Sequence, residues 1–304
     1  MQAQRPFSMN LRALFKTMRP KQWAKNGFVF TALIFDGQLL SPLPFLHTLA
    51  GCILFCLLSS VVYIINDISD IEADRRHPKK RLRPLAAGTL SVRTASFAAV
   101  GLLLFVFPVA FWLSPPFFAI ALAYFLLNLA YSRWLKHIVV LDVLVLAAFY
   151  LIRVVAGVEL IKVARFSPWM YVFTIFLALF LGVGKRRAER NLLAGNQGDE
   201  HHAGSHRKVL EGYTLPLLDQ YLNIVSSMTI ITYSLYTFSA PNLPENHTMM
   251  LTIPFLIYGI FRYLYLVQVE QSGGAPEEVL FTDRSFQINL GIFGLVVLAV
   301  FYLQ

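Results

Sequence analysis

Charge is what this chain has least of. Only 14% of its 304 residues are Asp, Glu, Lys or Arg, against about 25% in an ordinary soluble domain. That deficit excludes a soluble enzyme of this size. With 57% hydrophobic residues and a mean hydropathy of +0.59, it makes the chain an integral membrane protein. Acids are scarcer than bases, 17 against 26, for a net charge of +9. The excess is read as membrane topology, because Lys and Arg gather in loops on one face. Anionic lipid or phosphate substrates add to that reading, and no nucleic-acid partner is expected. There are two cysteines, Cys52 and Cys56. They lie one helical turn apart in an apolar run, too few for a zinc site of about four ligands, and are read as small buried residues. Met1 to Arg5 is followed by no short apolar stretch with a small-residue cleavage site, so no cleaved signal peptide is expected. No segment alternates with period 2, which excludes an outer-membrane barrel, and no internal repeat is visible.

What the chain does have is long apolar runs. A span needs about 20 apolar residues. Nine candidates fall near 24–40, 45–67, 94–112, 116–133, 138–160, 167–184, 218–239, 248–268 and 286–303. The first is the weakest, because Asp36 and Gly37 interrupt it. The expected fold is therefore all-α, a nine-helix integral membrane bundle in one domain over 1–304. With nine spans, the basic N-terminal arm, the dense group Arg75–Arg93, Arg133 with Lys136, the 185–208 segment and Arg284 fall on one face. The opposite loops hold chiefly Lys162 and Arg165. The positive-inside rule places the N-terminus and two long polar loops, 69–92 and 184–215, in the cytoplasm. Gly and other small residues on the spans allow a homo-oligomer.

Four groups of residues carry the chemistry. The first is Asn66, Asp67, Asp70 and Asp74, at the end of the second span. On one helix the three acids fall within about 60° of one another. Acids crowded at a bilayer boundary need a cation between them, and a hard divalent ion, Mg²⁺ above all, suits an all-oxygen set that shares a phosphate. Arg75, Arg76, His77, Lys79, Lys80, Arg81 and Arg83 follow at once. Acids beside bases suit a metal–diphosphate complex, and a helix-end ion-pair network is the plain alternative. The second group is Gly184-Lys185-Arg186-Arg187-Ala188-Glu189-Arg190. Lys185, Arg186 and Glu189 share about one turn, and Glu189 either completes a metal shell or orients a base. Snorkelling accounts for Arg187 and Arg190 better than for Lys185. The third is Tyr131, Ser132, Arg133, Trp134 and Lys136, with Asp142 and the intramembrane Arg153 beyond. An ionisable group so deep usually faces a polar cavity. Asp142 and Arg153 are about three turns apart, which points to separate roles. The fourth is Asp283-Arg284 with Arg262. His201, His202 and His206 are read as loop residues.

These residues resemble the UbiA-type membrane prenyltransferase superfamily. Its Asn-Asp-x-x-Asp-x-x-x-Asp signature is met by Asn66, Asp67, Asp70 and Asp74, and Arg81-x-Arg83-Pro84-Leu85 also fits. Members with aromatic acceptors carry a second Asp-x-x-x-Asp motif after the sixth helix, where this chain has Gly184 to Glu189. That departure resembles the decaprenyl-phosphate phosphoribosyltransferase branch. Arg19-Pro20-Lys21-Gln22-Trp23, Lys25-Asn26, Tyr131-Ser132, Leu135-Lys136, Arg153-x-x-x-Gly157, Tyr213-Thr214 and Asp283-Arg284 agree with it. The resemblance implies a UbiA-like bundle with cytoplasmic active-site loops, and transfer of phosphoribose from phosphoribosyl pyrophosphate to a polyprenyl phosphate. The product would feed arabinose donors for the cell envelope. It implies Asp67, Asp70 and Asp74 on Mg²⁺, with Lys185 as a further catalytic group. Lys25, Asn66, Arg75, Lys79, Arg81, Arg83, Tyr131, Lys136, Arg153, Arg186, Glu189 and Arg284 would bind substrate. Two rivals are prenyl transfer to an aromatic acceptor and a membrane transporter. The missing second Asp pair speaks against the first. The acids' place at a span's end, not at the midplane, speaks against the second.

Overall fold

The computed structural model describes residues 10–77, 80–161, 163, 166–195, 208–270 and 276–303. Met1 to Arg5, Lys79, Lys162, Arg165 and the three histidines His201, His202 and His206 lie outside the described residues. Every regular element among the described residues is helical. A short α1 (Leu11–Thr17) leads into a 3₁₀ stretch, Pro20–Phe30, that runs on as α2 (Thr31–Phe35). The long helices are α3 (Pro42–Ser69), α5 (Val92–Leu113), α6 (Pro115–Arg133), α7 (Leu141–Ile161), α8 (Pro168–Gly195) and α9 (Leu215–Ser239). They are followed by α10 (Ile253–Gln268) and α12 (Arg284–Tyr302). Short α4 (Ile71–Arg76) and α11 (Pro276–Thr282) sit in connections.

The helix starts follow local rules. Pro42 and Pro115 occupy first turns, where a missing N–H costs nothing. Ser91, Ser114, Thr214 and Asp283 cap α5, α6, α9 and α12 through their side chains.

Among the described residues seven helices are long and apolar enough to cross a membrane, so the count of nine is not reproduced on that criterion. The other two expected spans exist as helical segments. The first runs 20–35, not 24–40, and stops at the Asp36–Gly37 turn, where Gly37 has φ +67°. It reaches far because a 3₁₀ stretch rises about 2.0 Å per residue; with α2 the segment is roughly 30 Å long, a hydrocarbon thickness. The other, α9, has 25 residues but is rich in hydroxyls. Thr229, Thr232 and Ser234 donate back to the carbonyls of Val225, Met228 and Ile230, which satisfies them in an apolar setting.

Two further expectations change. Helix α8 continues to Gly195, so the second polar connection begins after residue 195, not at 184. The acids do not share one helix: Asp70 leaves helical geometry (φ −100°, ψ 9°) and α4 starts after it, carrying Asp74.

Neighbouring helices run antiparallel. The ends of α3, α6, α8 and α10 and the starts of α5, α7, α9 and α12 therefore gather at one end of the bundle. Helix α7 is central, packed on the 20–30 stretch, α2, α3, α6 and α8. Gly157 allows the closest approach: a Cβ there would lie 2.1 Å from the Val29 carbonyl oxygen. At the far end the bundle closes, with Tyr302 Oη accepting from Leu39 N at 2.7 Å and the Phe35 and Tyr236 rings edge-on. Phe97, Leu104 and Trp112 of α5 project outward, and only 11% of α12's apolar stretch is buried. An apolar belt of this kind is a lipid-facing surface.

Candidate active site

At the end where these termini gather lies a cavity of about 350 Å³. Its wall is charged in one sense. Arg19, Lys25, Lys80 and Arg83 line it from the 20–30 side and the α4 connection. Lys136, Arg153, Lys185 and Arg186 line it from α6 onward. Against these eight bases stand two carboxylates, Asp67 and Asp70. Asn66, Tyr131, Asn128 and Ser132 add polar groups.

Asp67 is 2% exposed and bridges two bases. Its Oδ1 accepts from Arg19 and, at 3.2 Å, from Arg83. Arg83 reaches on to Asp74 Oδ2 at 2.6 Å. Asp74 is thus buried behind Arg83 and does not line the cavity. Asp70 does line it, and among the described residues it has no ion pair. Arg19 sits in the left-handed region (φ 54°, ψ 62°) directly before Pro20, a strained place for an arginine. Its guanidinium lies 4.8 Å from the Tyr63 ring centre. Strain held by an ion pair and a ring marks a position whose side-chain direction matters.

Arg186 is fully buried. Its Nε donates to Asp142 Oδ2 at 2.7 Å and its Nη1 to Glu189 Oε2 at 2.6 Å. Glu189 therefore orients a base and stands outside the cavity lining. Asp142 is held from its other side by Tyr213 Oη, at 2.6 Å, and that hydroxyl accepts from Val140 N at 2.7 Å. Val140 adopts φ 71° to make this bond, a costly conformation for a β-branched residue. Burial, then the bond to Asp142, pushes the Tyr213 hydroxyl pKa up, so it stays a donor. Within this arrangement Arg186 Nη2 and Tyr131 Oη are buried with no hydrogen-bond partner among the described residues. Both groups belong to residues on the cavity wall. Buried polar atoms left unsatisfied are rare and point to a missing ligand or water.

Other expected site residues stand elsewhere. Arg75 is exposed, bonded to Glu72 at 2.8 Å and to the Ala86 carbonyl, and clamps its own connection. Arg81 is exposed and outside the lining. Arg284 is exposed at the start of α12, away from the cavity. Its neighbour Asp283 accepts from Arg262 at 2.6 Å, a bond that lowers the Asp283 carboxyl pKa and ties α12 to α10. Arg187 and Arg190 do not snorkel: Arg187 binds Asp219 at 2.6 Å and Arg190 the Tyr213 carbonyl at 3.0 Å. Asp142 and Arg153 keep separate partners, as their spacing suggested. Sequence reasoning missed Arg19 and Lys80 as lining bases, and Tyr213 as the brace of Asp142. The left-handed turn at Arg19 has no local signal, and the bond to Asp142 joins residues 71 apart.

The family model described as "UbiA prenyltransferase family" matches residues 27–290. A decaprenyl-phosphate phosphoribosyltransferase of Mycobacterium tuberculosis is 33% identical over 278 residues, covering 90% of this chain and 89% of that protein. One from Corynebacterium glutamicum is 32% identical over 293 residues, covering 90% of this chain and 82% of that protein. Among solved structures, a UbiA homolog from Archaeoglobus fulgidus bound to GPP and Mg²⁺ superposes with a TM-score of 0.70 at 20% identity, over 95% of this chain and 99% of that one.

Proposed function

The chain belongs to the UbiA prenyltransferase family, and from that premise we propose that it moves 5-phosphoribose from phosphoribosyl pyrophosphate to a polyprenyl phosphate, decaprenyl phosphate above all, releasing pyrophosphate. The observation that carries this reading is the excess of bases around one cavity, eight against two carboxylates. Two anionic substrates repel each other and must be held together by fixed cations. A neutral aromatic acceptor needs no such excess. Relatives at 32–33% identity that bear this activity in their names support the same assignment.

The donor set fits Mg²⁺. Asp67 and Asp70 are hard oxygen ligands, with Asn66 beside them on the cavity wall. Among the described residues no group of three or more His, Cys, Asp or Glu closes around a metal. Asp67 and Asp70 would hold the ion together with oxygens of the diphosphate, in keeping with the few protein ligands Mg²⁺ usually takes. The chemistry supplied by Mg²⁺ there is neutralisation of charge on the departing pyrophosphate.

Arg83 and Lys80 hold the pyrophosphate end. Lys136, Lys185 and Arg186 draw the lipid phosphate toward the sugar. One lipid phosphate oxygen forms a bond to the anomeric carbon as the bond from that carbon to the pyrophosphate oxygen breaks, with inversion. The acceptor is already an anion, so no proton has to be removed. We place the protein in the plasma (inner) membrane with the cavity mouth in the cytoplasm, where a water-soluble donor is found and where basic loops reside. The lipid-linked phosphoribose then serves as a precursor of envelope arabinose donors.

The test uses the purified protein with Mg²⁺, decaprenyl phosphate and phosphoribosyl pyrophosphate labelled in the ribose. Label enters the lipid phase with one pyrophosphate released per transfer. Failure of that transfer, with product formed instead from a prenyl diphosphate and an aromatic acceptor, overturns the reading. Product formation by purified protein also disposes of pure transport.

A further inference from the structure

Arg153 lies deep in the cavity and differs from the other arginines of its wall, Arg19, Arg83 and Arg186, in what it meets. Its place on the wall is set by Asn26, which also donates to Ser59 of α3 at 3.3 Å. Ser59 lies eight residues before Asp67, so this layer is about 12 Å along the helix from the acids at the mouth. Arg153 is 5% exposed. Its Nε donates to Asn26 Oδ1 at 2.8 Å, its Nη1 to the Phe149 carbonyl at 2.7 Å and its Nη2 to Tyr124 Oη at 2.9 Å. The guanidinium carbon also lies 4.9 Å from the Tyr124 ring centre and 5.7 Å from that of Tyr150.

All of these partners are neutral. Arg19, Arg83, Arg186, Arg187 and Arg262 each have a carboxylate within 4 Å. Among the described residues Arg153 has none. A buried cation in a membrane bundle is costly unless an anion meets it. Asn26, itself fully buried, stands where an aspartate would neutralise the guanidinium. Three of the five guanidinium N–H groups are used, which leaves two for a ligand.

We propose that Arg153 is a second phosphate seat, at the cavity floor, that takes a phosphate monoester and is distinct from the pyrophosphate site at the mouth. Resting on the reading above, the monoester that the geometry fits is the 5-phosphate of the sugar donor. A pentose then lies between the two phosphate groups, one at the floor and one beside Asp67 and Asp70. The seat selects a phosphorylated sugar, because a donor with a 5-hydroxyl leaves the cation unmet. The lipid phosphate is the other monoester available, and the same chemistry would hold it.

The test is direct binding to the purified full chain in detergent. The probes are ribose 5-phosphate, a short-chain polyprenyl phosphate, and pyrophosphate with Mg²⁺. Arg153→Met removes the charge. Asn26→Asp keeps the arginine but neutralises it, and covers the case in which Arg153→Met fails to fold. Both variants are expected to weaken one monoester by about tenfold or more, with pyrophosphate affinity held within about twofold and the melting temperature of Asn26→Asp at or above wild type. Loss confined to ribose 5-phosphate assigns the seat to the sugar, and loss confined to the polyprenyl phosphate assigns it to the lipid. Equal weakening of all three probes, or of none, overturns the proposal. Binding is read without turnover, so the seat stands or falls separately from the transfer reaction.

Discussion

Asp70 and Asp67 are three residues apart and do different work. Asp67 is buried between two guanidinium groups, while Asp70 lines the cavity with no ion pair among the described residues. Asp70→Asn is therefore expected to leave the melting temperature within about 2 °C and to lower transfer by roughly a hundredfold or more, measured with labelled donor at saturating lipid. Asp67→Asn is expected to do both: it strips a buried partner from Arg19 and Arg83, at a cost on the order of 2 kcal/mol, and a lowered melting temperature should accompany the lost activity. Tyr213→Phe removes the hydroxyl that steadies Asp142 behind Arg186. Its expected signature is a several-fold rise in KM with little loss of protein, because Arg186 keeps its charge but not its aim. The family signature made the Asp motif legible from sequence alone. The division of labour within it was not, because Arg19 and Arg83 reach Asp67 from 48 and 16 residues away.

Among the elements, the 20–35 segment reads weakly as a span yet is wedged against α7. Gly157→Ala would drive a Cβ into the Val29 carbonyl at 2.1 Å. The expected cost is about 1–3 kcal/mol, seen as a lowered melting temperature. Gly101→Ala on α5 meets nothing within 4 Å and should be neutral or slightly stabilising, a control for helix propensity alone. The α10–α12 tie carries a pH dependence. The bond from Arg262 depresses the Asp283 pKa below its usual 3.8. A depressed acid stabilises the fold above its unfolded pKa, and that contribution is lost as pH falls through the folded value. Wild type should therefore melt higher than Asp283→Asn at neutral pH, and the gap should close as the pH drops below about 3.8. The length of the apolar runs foretold most of these elements. The extension of α8 to Gly195 was hidden, because Lys185 to Arg190 reads as polar loop until Asp142, Asp219 and the Tyr213 carbonyl are seen to take up its arginines.

At the scale of the whole molecule the charge asymmetry predicts orientation. In a background with Cys52 and Cys56 replaced by Ala, a cysteine at Arg81 should react with a membrane-impermeant maleimide only in inverted vesicles. A cysteine at Glu245, on the opposite face, should react in intact cells. The reverse pattern would turn the cavity mouth outward and remove the case for a cytoplasmic donor.

The residues by themselves determined that the chain lies in a membrane, that its regular structure is helical, and that acids and bases meet at one face. Hydropathy and charge count are local properties, and a bilayer reads them locally. Only the packed bundle decided which bases line the cavity and which tie helices together. Arg187, Arg262 and Arg75 carry the same charge as Arg153 and Lys185, and nothing in composition separates them. What separates them is which of them the packing of distant helices brings to the wall of one cavity. That depends on interhelical distances which no single segment encodes.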